Sequence, residues 1–320
     1  MYNLIQKWNF IRDYTSSQST QDDVSRIFTR LQKYEDALGK DFCEFSIEEA
    51  ADVLDKSAAL KTASQWSSVS ALKAYAKWCT EHKIPNANEK LASSITLKND
   101  AGLDKIRNCM ITGPAHLQMY LDSVFDKESE QTIDNIYRAF YWMAFSGIND
   151  EDALNIKTKD VDFDDMVIHY GDVCVPIYRE AIHCFRNLCT LTQFNYRHPN
   201  YSKEIKRDRI ISDNLLRGVK AEQKMQTIRS IISKKEKTAI KKGLTPLNLS
   251  YSRIQLSGSF FRAYENERMG IAPAFIEETA LRMKGKEYSL SNRMELSHIA
   301  NKIAKEFRED YARWKMAFSI

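Results

Sequence analysis

The sequence predicts a mainly α-helical protein with a small antiparallel β-sheet, divided into two domains. Apolar residues repeat at helical spacing through most of the chain, whereas short β-branched runs are confined to residues near 160–177. A polar, irregular stretch at residues 84–102 interrupts the helical pattern and is typical of a linker. Because 320 residues with 43% hydrophobic content can bury two cores, we place the domains at residues 1–105 and 106–320.

The first domain is predicted to be all-helical. An amphipathic helix over QDDVSRIFTRLQKYEDAL ends at Gly39, and Ser46 with Glu49 forms a capping box that opens the next helix. A third helix extends from about Thr62 to His82. Its apolar residues are expected to lie in the core: Trp66, Val69, Leu72, Tyr75, Ala76 and Cys79.

The second domain combines long helices with the small sheet. Pro114 suits the first turn of a helix, and a longer helix is expected from about Ser129 to Phe145, ending at Gly147. The runs VDFDD, MVIHY and VCVPI predict three short strands, with a tight turn at Gly171-Asp172. Beyond them the pattern is helical again through to Trp314.

The charge is distributed unevenly along the chain. Net charge is only +4, but residues 197–253 carry 15 Lys and Arg against 5 Asp and Glu, a local charge of +10. Residues 108–196 carry 6 against 14, a local charge of −8. A basic block of this kind is typical of proteins that bind nucleic acid, although solvated helices with lysines on their outer faces give the same pattern.

Composition excludes several other classes of protein. No apolar run approaches the roughly 18 residues of a membrane span, and the N-terminus lacks the pattern of a secretory signal. The six cysteines have no CxxC spacing and the six histidines are scattered, so we expect reduced thiols, no metal site and no cofactor. These features are typical of a cytoplasmic protein.

Three segments resemble the tyrosine recombinases, also called the phage integrase family. The run FSGINDEDALNIKTKDVDF at residues 145–163 is similar to the family pattern T-G-L-R-x-x-E-L-x-x-L-x-W-x-D-I-D, and VPIYREAIHCFRNL resembles the segment after the family's β-hairpin. Residues 37–84 are similar to the family's SAM-like core-binding domain. The resemblance implies a two-domain fold that holds duplex DNA and a metal-free reaction through a covalent phosphotyrosine.

The positions that the resemblance assigns to the chemistry depart from the family pattern. Asn149 stands at the first arginine, and Ser252 and Gln255 stand at the histidine and the second arginine of H-x-L-R, unless Arg253 is a displaced arginine. The hairpin has no lysine, and its turn holds Asp172 instead. Removing one preorganised donor to a developing oxyanion typically costs about 10²–10³ in rate, so we expect no recombinase activity.

Two tyrosines are candidates for the family nucleophile. Tyr288 lies 33 residues after Gln255, close to the interval that the family uses, and Tyr311 lies in the final helical segment. A structural role is the favoured interpretation of both. The alternative is a divergent, active integrase that uses Tyr288 or Tyr311.

Polar and basic residues of both domains are candidates for DNA contact. At the N-terminus of a helix, free N–H groups and a partial positive charge favour the binding of a phosphate. We therefore expect DNA contacts at the start of the third helix. The candidates are Arg26, Arg30, Lys33, Lys61, Thr62, Ser64, Gln65, Asn149, Lys206, Arg207, Arg209, Lys234, Lys235, Arg253 and Gln255.

The favoured function is that of a sequence-specific DNA-binding protein without catalysis. Such a pseudoenzyme would act on operator-like sites in double-stranded DNA, as a prophage transcriptional repressor that maintains lysogeny. A protein-interaction module that no longer binds DNA is a further alternative. Trp314, Met316 and Phe318 are expected at the surface of the last helix, where they would serve self-association or a protein partner, or pack onto their own domain.

Overall fold

The computed structural model describes residues 2–98, 100–125, 132–190, 192–197, 204–218, 224–244, 247–283 and 293–320. It confirms the predicted fold class, because the chain is mainly helical with a small three-stranded antiparallel sheet. The chain divides into two compact units, unit 1 with Met1–Ile106 and Arg308–Ile320, and unit 2 with Arg107–Phe307. The last residues, which the sequence placed in the second domain, therefore group with unit 1.

Unit 1 is entirely helical in its described part. Its helices are α1 (Leu4–Tyr14), α2 (Gln18–Leu38), α3 (Ile47–Ser57), α4 (Thr62–Glu81), α5 (Leu91–Ser94) and α6 (Leu103–Arg107). As predicted, α2 ends at Gly39, which adopts φ +67, and Ser46 and Glu49 form the capping box of α3. An apolar core built around Phe10, Phe28 and Tyr75 joins the helices.

The predicted core position of Trp66 is wrong. Five of the six apolar residues expected inside α4 are buried, namely Val69, Leu72, Tyr75, Ala76 and Cys79. Trp66, in contrast, is 58% exposed. The neighbouring Gln65 takes the inward position, so the buried stripe of α4 begins one residue earlier than the apolar pattern indicated.

Unit 2 surrounds one buried helix. Its elements are α7 (Pro114–Val124), α8 (Thr132–Ser146), α9 (Asp150–Ala153), β1 (Val161–Asp162), β2 (Val167–Tyr170), β3 (Val173–Pro176), α10 (Ile182–Thr190), β4 (Gln193–Arg197), β5 (Glu204–Asp208), α11 (Met225–Lys241), α12 (Tyr251–Arg268), α13 (Phe275–Met283) and the first part of α14 (Arg293–Phe318). The residues of α14 from Arg308 onward belong to unit 1. Every residue from Asp134 to Ile148 is buried, so α8 is the centre of this core. None of the described helices is long and apolar enough to cross a membrane.

The predicted sheet is present with the expected turn. Strands β1, β2 and β3 pair in that order, and Tyr170 faces Val173 across a turn in which Gly171 has φ +64. A second, two-stranded sheet, β4–β5, pairs Gln193 with Asp208 and was not predicted. Its sequences are short, and charged residues interrupt them, so the strand signal is weak and the chain was predicted to be helical there.

The end of α14 packs inside unit 1, which corrects a second expectation. Trp314 is fully buried rather than exposed, whereas Met316 is 49% exposed and Phe318 is half-buried. The Arg313 guanidinium donates a hydrogen bond to the carbonyl oxygen of Leu60 at 2.9 Å. Of the two alternatives left open for these residues, Trp314 follows packing within the protein's own fold, whereas Met316 remains half-exposed.

Candidate nucleic-acid interface

Asn149 and Gln255, which the resemblance assigned to the family's two arginine positions, lie in direct contact in unit 2. Asn149 follows the buried end of α8, and Gln255 lies in the second turn of α12. Nε2 of Gln255 donates to Oδ1 of Asn149 at 2.9 Å and to the carbonyl oxygen of Gly147 at 3.1 Å. The fold thus brings Asn149 together with Gln255.

A tyrosine and a carboxylate continue this hydrogen-bond network. Nδ2 of Asn149 donates to the hydroxyl of Tyr170 at 3.2 Å, and that hydroxyl donates to the carboxylate of Asp152. Burial, together with the Asp152 carboxylate, raises the pKa of Tyr170 well above its usual value. These four side chains carry amides, a phenol and a carboxylate, so the group brings negative rather than positive charge to the site.

The remaining motif positions at the start of α12 are engaged locally. Ser250 caps the helix, and its hydroxyl oxygen lies 3.2 Å from that of the exposed Ser252. The Arg253 guanidinium donates to the carbonyl oxygen of Asn248 at 2.6 Å and to its Oδ1 at 3.2 Å. A cleft of about 240 Å³ lies beside Ser250 and Ser252, and Arg229 forms an ion pair there with Asp150.

Of the two tyrosine candidates, the structure describes Tyr311. Tyr311 is buried in unit 1, where its ring stacks on Trp314 at a centroid distance of 6.0 Å and Lys315 lies over it. Tyr288 lies outside the described residues. At the hairpin, the turn residues Gly171 and Asp172 are exposed, so a carboxylate lies at this turn.

The basic candidates of unit 2 separate into exposed and structural residues. Lys206 and Arg207 on β5 and Lys234 on α11 are exposed. Arg209 is buried and its guanidinium donates to three backbone carbonyl groups, those of Leu188, Leu215 and Arg217. Lys235 forms an ion pair at 2.9 Å with Asp134, which is itself buried. Arg209 and Lys235 therefore stabilise the fold, and their charges face protein groups.

The basic candidates of α2 in unit 1 lie at the surface. Arg26, Arg30 and Lys33 are exposed, and Arg26 pairs with the equally exposed Asp23. Such exposed pairs contribute little and are readily exchanged for another anion. Arg30 also borders the small cavity that Ser68 of α4 lines, so the basic side of α2 adjoins α4.

The start of α4 differs from the free helix end that the sequence predicted. The backbone N–H and the hydroxyl of Thr62 both donate to Oδ1 of Asp310, each at 2.9 Å. Gln65 is buried and donates to the carbonyl oxygen of Ala59 at 2.7 Å. An internal carboxylate thus caps the helix, while Lys61 and Ser64 remain exposed.

The family comparison concerns the first part of unit 1. Residues 1–81 match the family model MrpR, N-terminal core-binding domain. The match ends at the last residue of α4 and thus spans α1 to α4. It confirms the part of the resemblance that concerns this segment, a core-binding domain of the phage integrase or tyrosine recombinase type. The chain matches no curated protein.

Proposed function

We propose that the protein binds double-stranded DNA sequence-specifically on a recombinase-type fold and does not recombine it. The match of residues 1–81 to a core-binding domain, a DNA-binding domain, supports the DNA partner. Within this proposal, the protein acts as a prophage transcriptional repressor that maintains lysogeny. In length and layout the sequence looks like the master repressor of SPβ-like prophages, which supports this role.

The contact between Asn149 and Gln255 is the observation that best supports a protein without recombinase activity. Phosphoryl transfer to a tyrosine places charge on the phosphoryl oxygens, and arginine forks stabilise that charge with two parallel charged donors. Here the amide hydrogens of Gln255 point to Asn149 and to backbone carbonyl groups, so they are occupied within the fold. Because each lost donor costs about 10²–10³ in rate, the pair supports binding without cleavage.

The binding itself does not depend on these two positions. Most hydrogen bonds from proteins to DNA reach phosphates and sugars, and they position the protein without chemistry. Exposed lysines and arginines on α2, β5 and α11 can serve as such contacts, among them Arg30, Arg207 and Lys234. Neutralising phosphates releases counterions, so affinity falls with salt at a slope of about −0.9 per phosphate contact.

Selection of bound duplexes from phage-genome DNA, followed by footprinting and gel shifts over a salt series, tests the binding. We expect one protected site and a steep salt dependence. A flat salt response, or binding to all sequences alike, would contradict the proposal. A reporter gene behind the selected site should be silenced by the intact protein, and unchanged expression would refute the repressor role.

A nicked suicide duplex that carries the selected site tests the absence of cleavage. We expect no covalent protein–DNA adduct. An adduct that disappears in Tyr288→Phe or Tyr311→Phe would instead establish a divergent recombinase. Asn149→Ala and Gln255→Ala are the control variants of this experiment. If the two amides take no part in phosphoryl transfer, neither variant should change the background level of covalent adduct.

A further inference from the structure

The outer face of α4 carries one large apolar side chain among small ones. Trp66 is 58% exposed, and its neighbours along the face, Ala63 three residues before and Ser70 four residues after, are both exposed and small. Ser67 is also exposed, and its hydroxyl turns back to the carbonyl oxygen of Ala63 at 3.0 Å. The indole therefore projects beyond its neighbours on α4.

The charge on the outer face of α4 favours the binding of a polyanion. Lys73 and Lys77 follow Trp66 at seven and eleven residues, on the same side of the helix, and Lys61 is exposed at its start. Along α4, all of which is described, the acidic residue is Glu81, and it lies 3.6 Å from Lys77. A protein-binding face would be expected to cluster several large apolar side chains, whereas α4 exposes Trp66 among serines, alanine and lysines.

The dimensions of α4 suit the major groove of duplex DNA. Its 20 residues span about 30 Å, and small side chains at Ala63, Ser67 and Ser70 let the helix backbone approach the base edges closely. In that groove, adenine, guanine and cytosine present hydrogen-bonding groups, whereas thymine also presents an apolar 5-methyl group. The exposed indole, which is the large apolar side chain that α4 presents to solvent, has this methyl group as its matching partner.

We propose that Trp66 reads thymine in the bound duplex by packing its indole against the 5-methyl group in the major groove. This inference rests on the proposed DNA-binding function and names the base at one position of the site. The lysines on the same face hold the helix to the flanking phosphates, while Trp66 supplies the discrimination between bases.

Replacement of thymine by uracil tests the contact, because it removes only the methyl group. Each thymine of the selected duplex is replaced in turn, and gel shifts measure the affinity of the intact protein. One or two positions should show a loss of about fourfold, the value for one buried methyl group. In Trp66→Ala the same replacements should have no effect, and Trp66→Phe should retain part of the discrimination.

The controls separate this inference from the proposed function. Trp8→Ala removes another partly exposed tryptophan, on α1, and should leave the uracil effect unchanged. A protein that binds no duplex refutes the proposed function itself. If the wild-type protein binds its site equally well with thymine or uracil at every position, only the role of Trp66 is overturned. The same holds if Trp66→Ala shows the full uracil effect of the wild-type protein. Thermal unfolding should confirm that both Trp66 variants fold, because the side chain is exposed.

Discussion

Nε2 of Gln255 lies 2.9 Å from Oδ1 of Asn149, so two amides meet at the positions that the sequence resemblance assigned to two arginines. The same nitrogen lies 3.1 Å from the carbonyl oxygen of Gly147. Gln255 therefore joins the start of α12 to the end of α8, the central helix of unit 2. The pair therefore links two helices of unit 2.

A double-mutant cycle measures the contribution of this pair. Gln255→Ala should lower the free energy of unfolding by about 1–3 kcal/mol, because it leaves a buried carbonyl group without its donor. Asn149→Ala should cost less, since Asn149 is only half-buried. We expect a coupling energy of about 0.5–1.5 kcal/mol between the two changes, measured by urea unfolding. Purely additive effects would show that the hydrogen bond contributes nothing.

Gly258 allows α12 to pack closely against α8. A Cβ atom at this position would lie 1.8 Å from the carbonyl oxygen of Phe145 and 2.7 Å from its carbonyl carbon, both of which are backbone atoms. The helices must separate to admit it, so Gly258→Ala should destabilise the protein by about 3 kcal/mol or more. Ser252→Ala, at an exposed position of the same helix, should change stability by less than about 0.5 kcal/mol in the same thermal unfolding experiment.

Glu35 should make the stability of the protein depend on pH. It is buried beside Lys7 and Asp41, and burial raises its pKa above the ordinary value of 4.5, although the Lys7 ammonium opposes the shift. The carboxyl group then binds its proton more tightly in the folded than in the unfolded chain. The contribution of Glu35 to the free energy of unfolding is therefore fully present below pH 4.5. It is lost as the pH rises through the raised pKa of the folded protein.

Comparison with Glu35→Gln isolates this effect. The wild-type protein should lose stability relative to Glu35→Gln as the pH rises from about 4.5, so its free energy of unfolding minus that of the variant should decrease. Urea unfolding at several pH values measures the difference. A difference that is constant with pH, or that shifts in favour of the wild type, would contradict the raised pKa.

Asp310 stabilises unit 1 from the last helix. Its carboxylate accepts hydrogen bonds from the N–H and the hydroxyl of Thr62 and so caps α4. Asp310→Ala should lower the free energy of unfolding by about 0.5–2 kcal/mol, the usual range for a lost N-cap. Glu309→Ala, one residue earlier, is the matched control and should leave the unfolding midpoint nearly unchanged. Equal effects of the two changes would argue against the cap.

Lys234 and Lys237, which are exposed on α11, should contribute to DNA affinity through phosphates. Replacing either by alanine should weaken binding to all sequences alike and reduce the salt slope by about 0.9. Lys235→Ala is a useful contrast, because Lys235 pairs with the buried Asp134 and its loss should reduce stability rather than the salt slope. Gel shifts at several salt concentrations, with unfolding curves of the same variants, distinguish these outcomes.

The features that sequence predicted correctly are local ones. The stop at Gly39, the capping box of Ser46 and Glu49, and the turn at Gly171 each depend on residues within a few positions of one another. Two of the predictions that proved wrong depend on distant partners. The strand pair β4–β5 needs the pairing of residues 193–197 with residues 204–208, and the burial of Trp314 needs the surface of unit 1.

The sequence by itself determined the helical fold class, the small sheet and the segment that resembles a core-binding domain, because periodicity, caps and turn residues act over short distances. Only the tertiary structure decided which polar side chains are available. Arg209 and Gln65 are committed to backbone carbonyl groups, whereas Trp66 is turned outward. Burial and partner choice depend on packing between segments far apart in the chain, and no local pattern of residues specifies them.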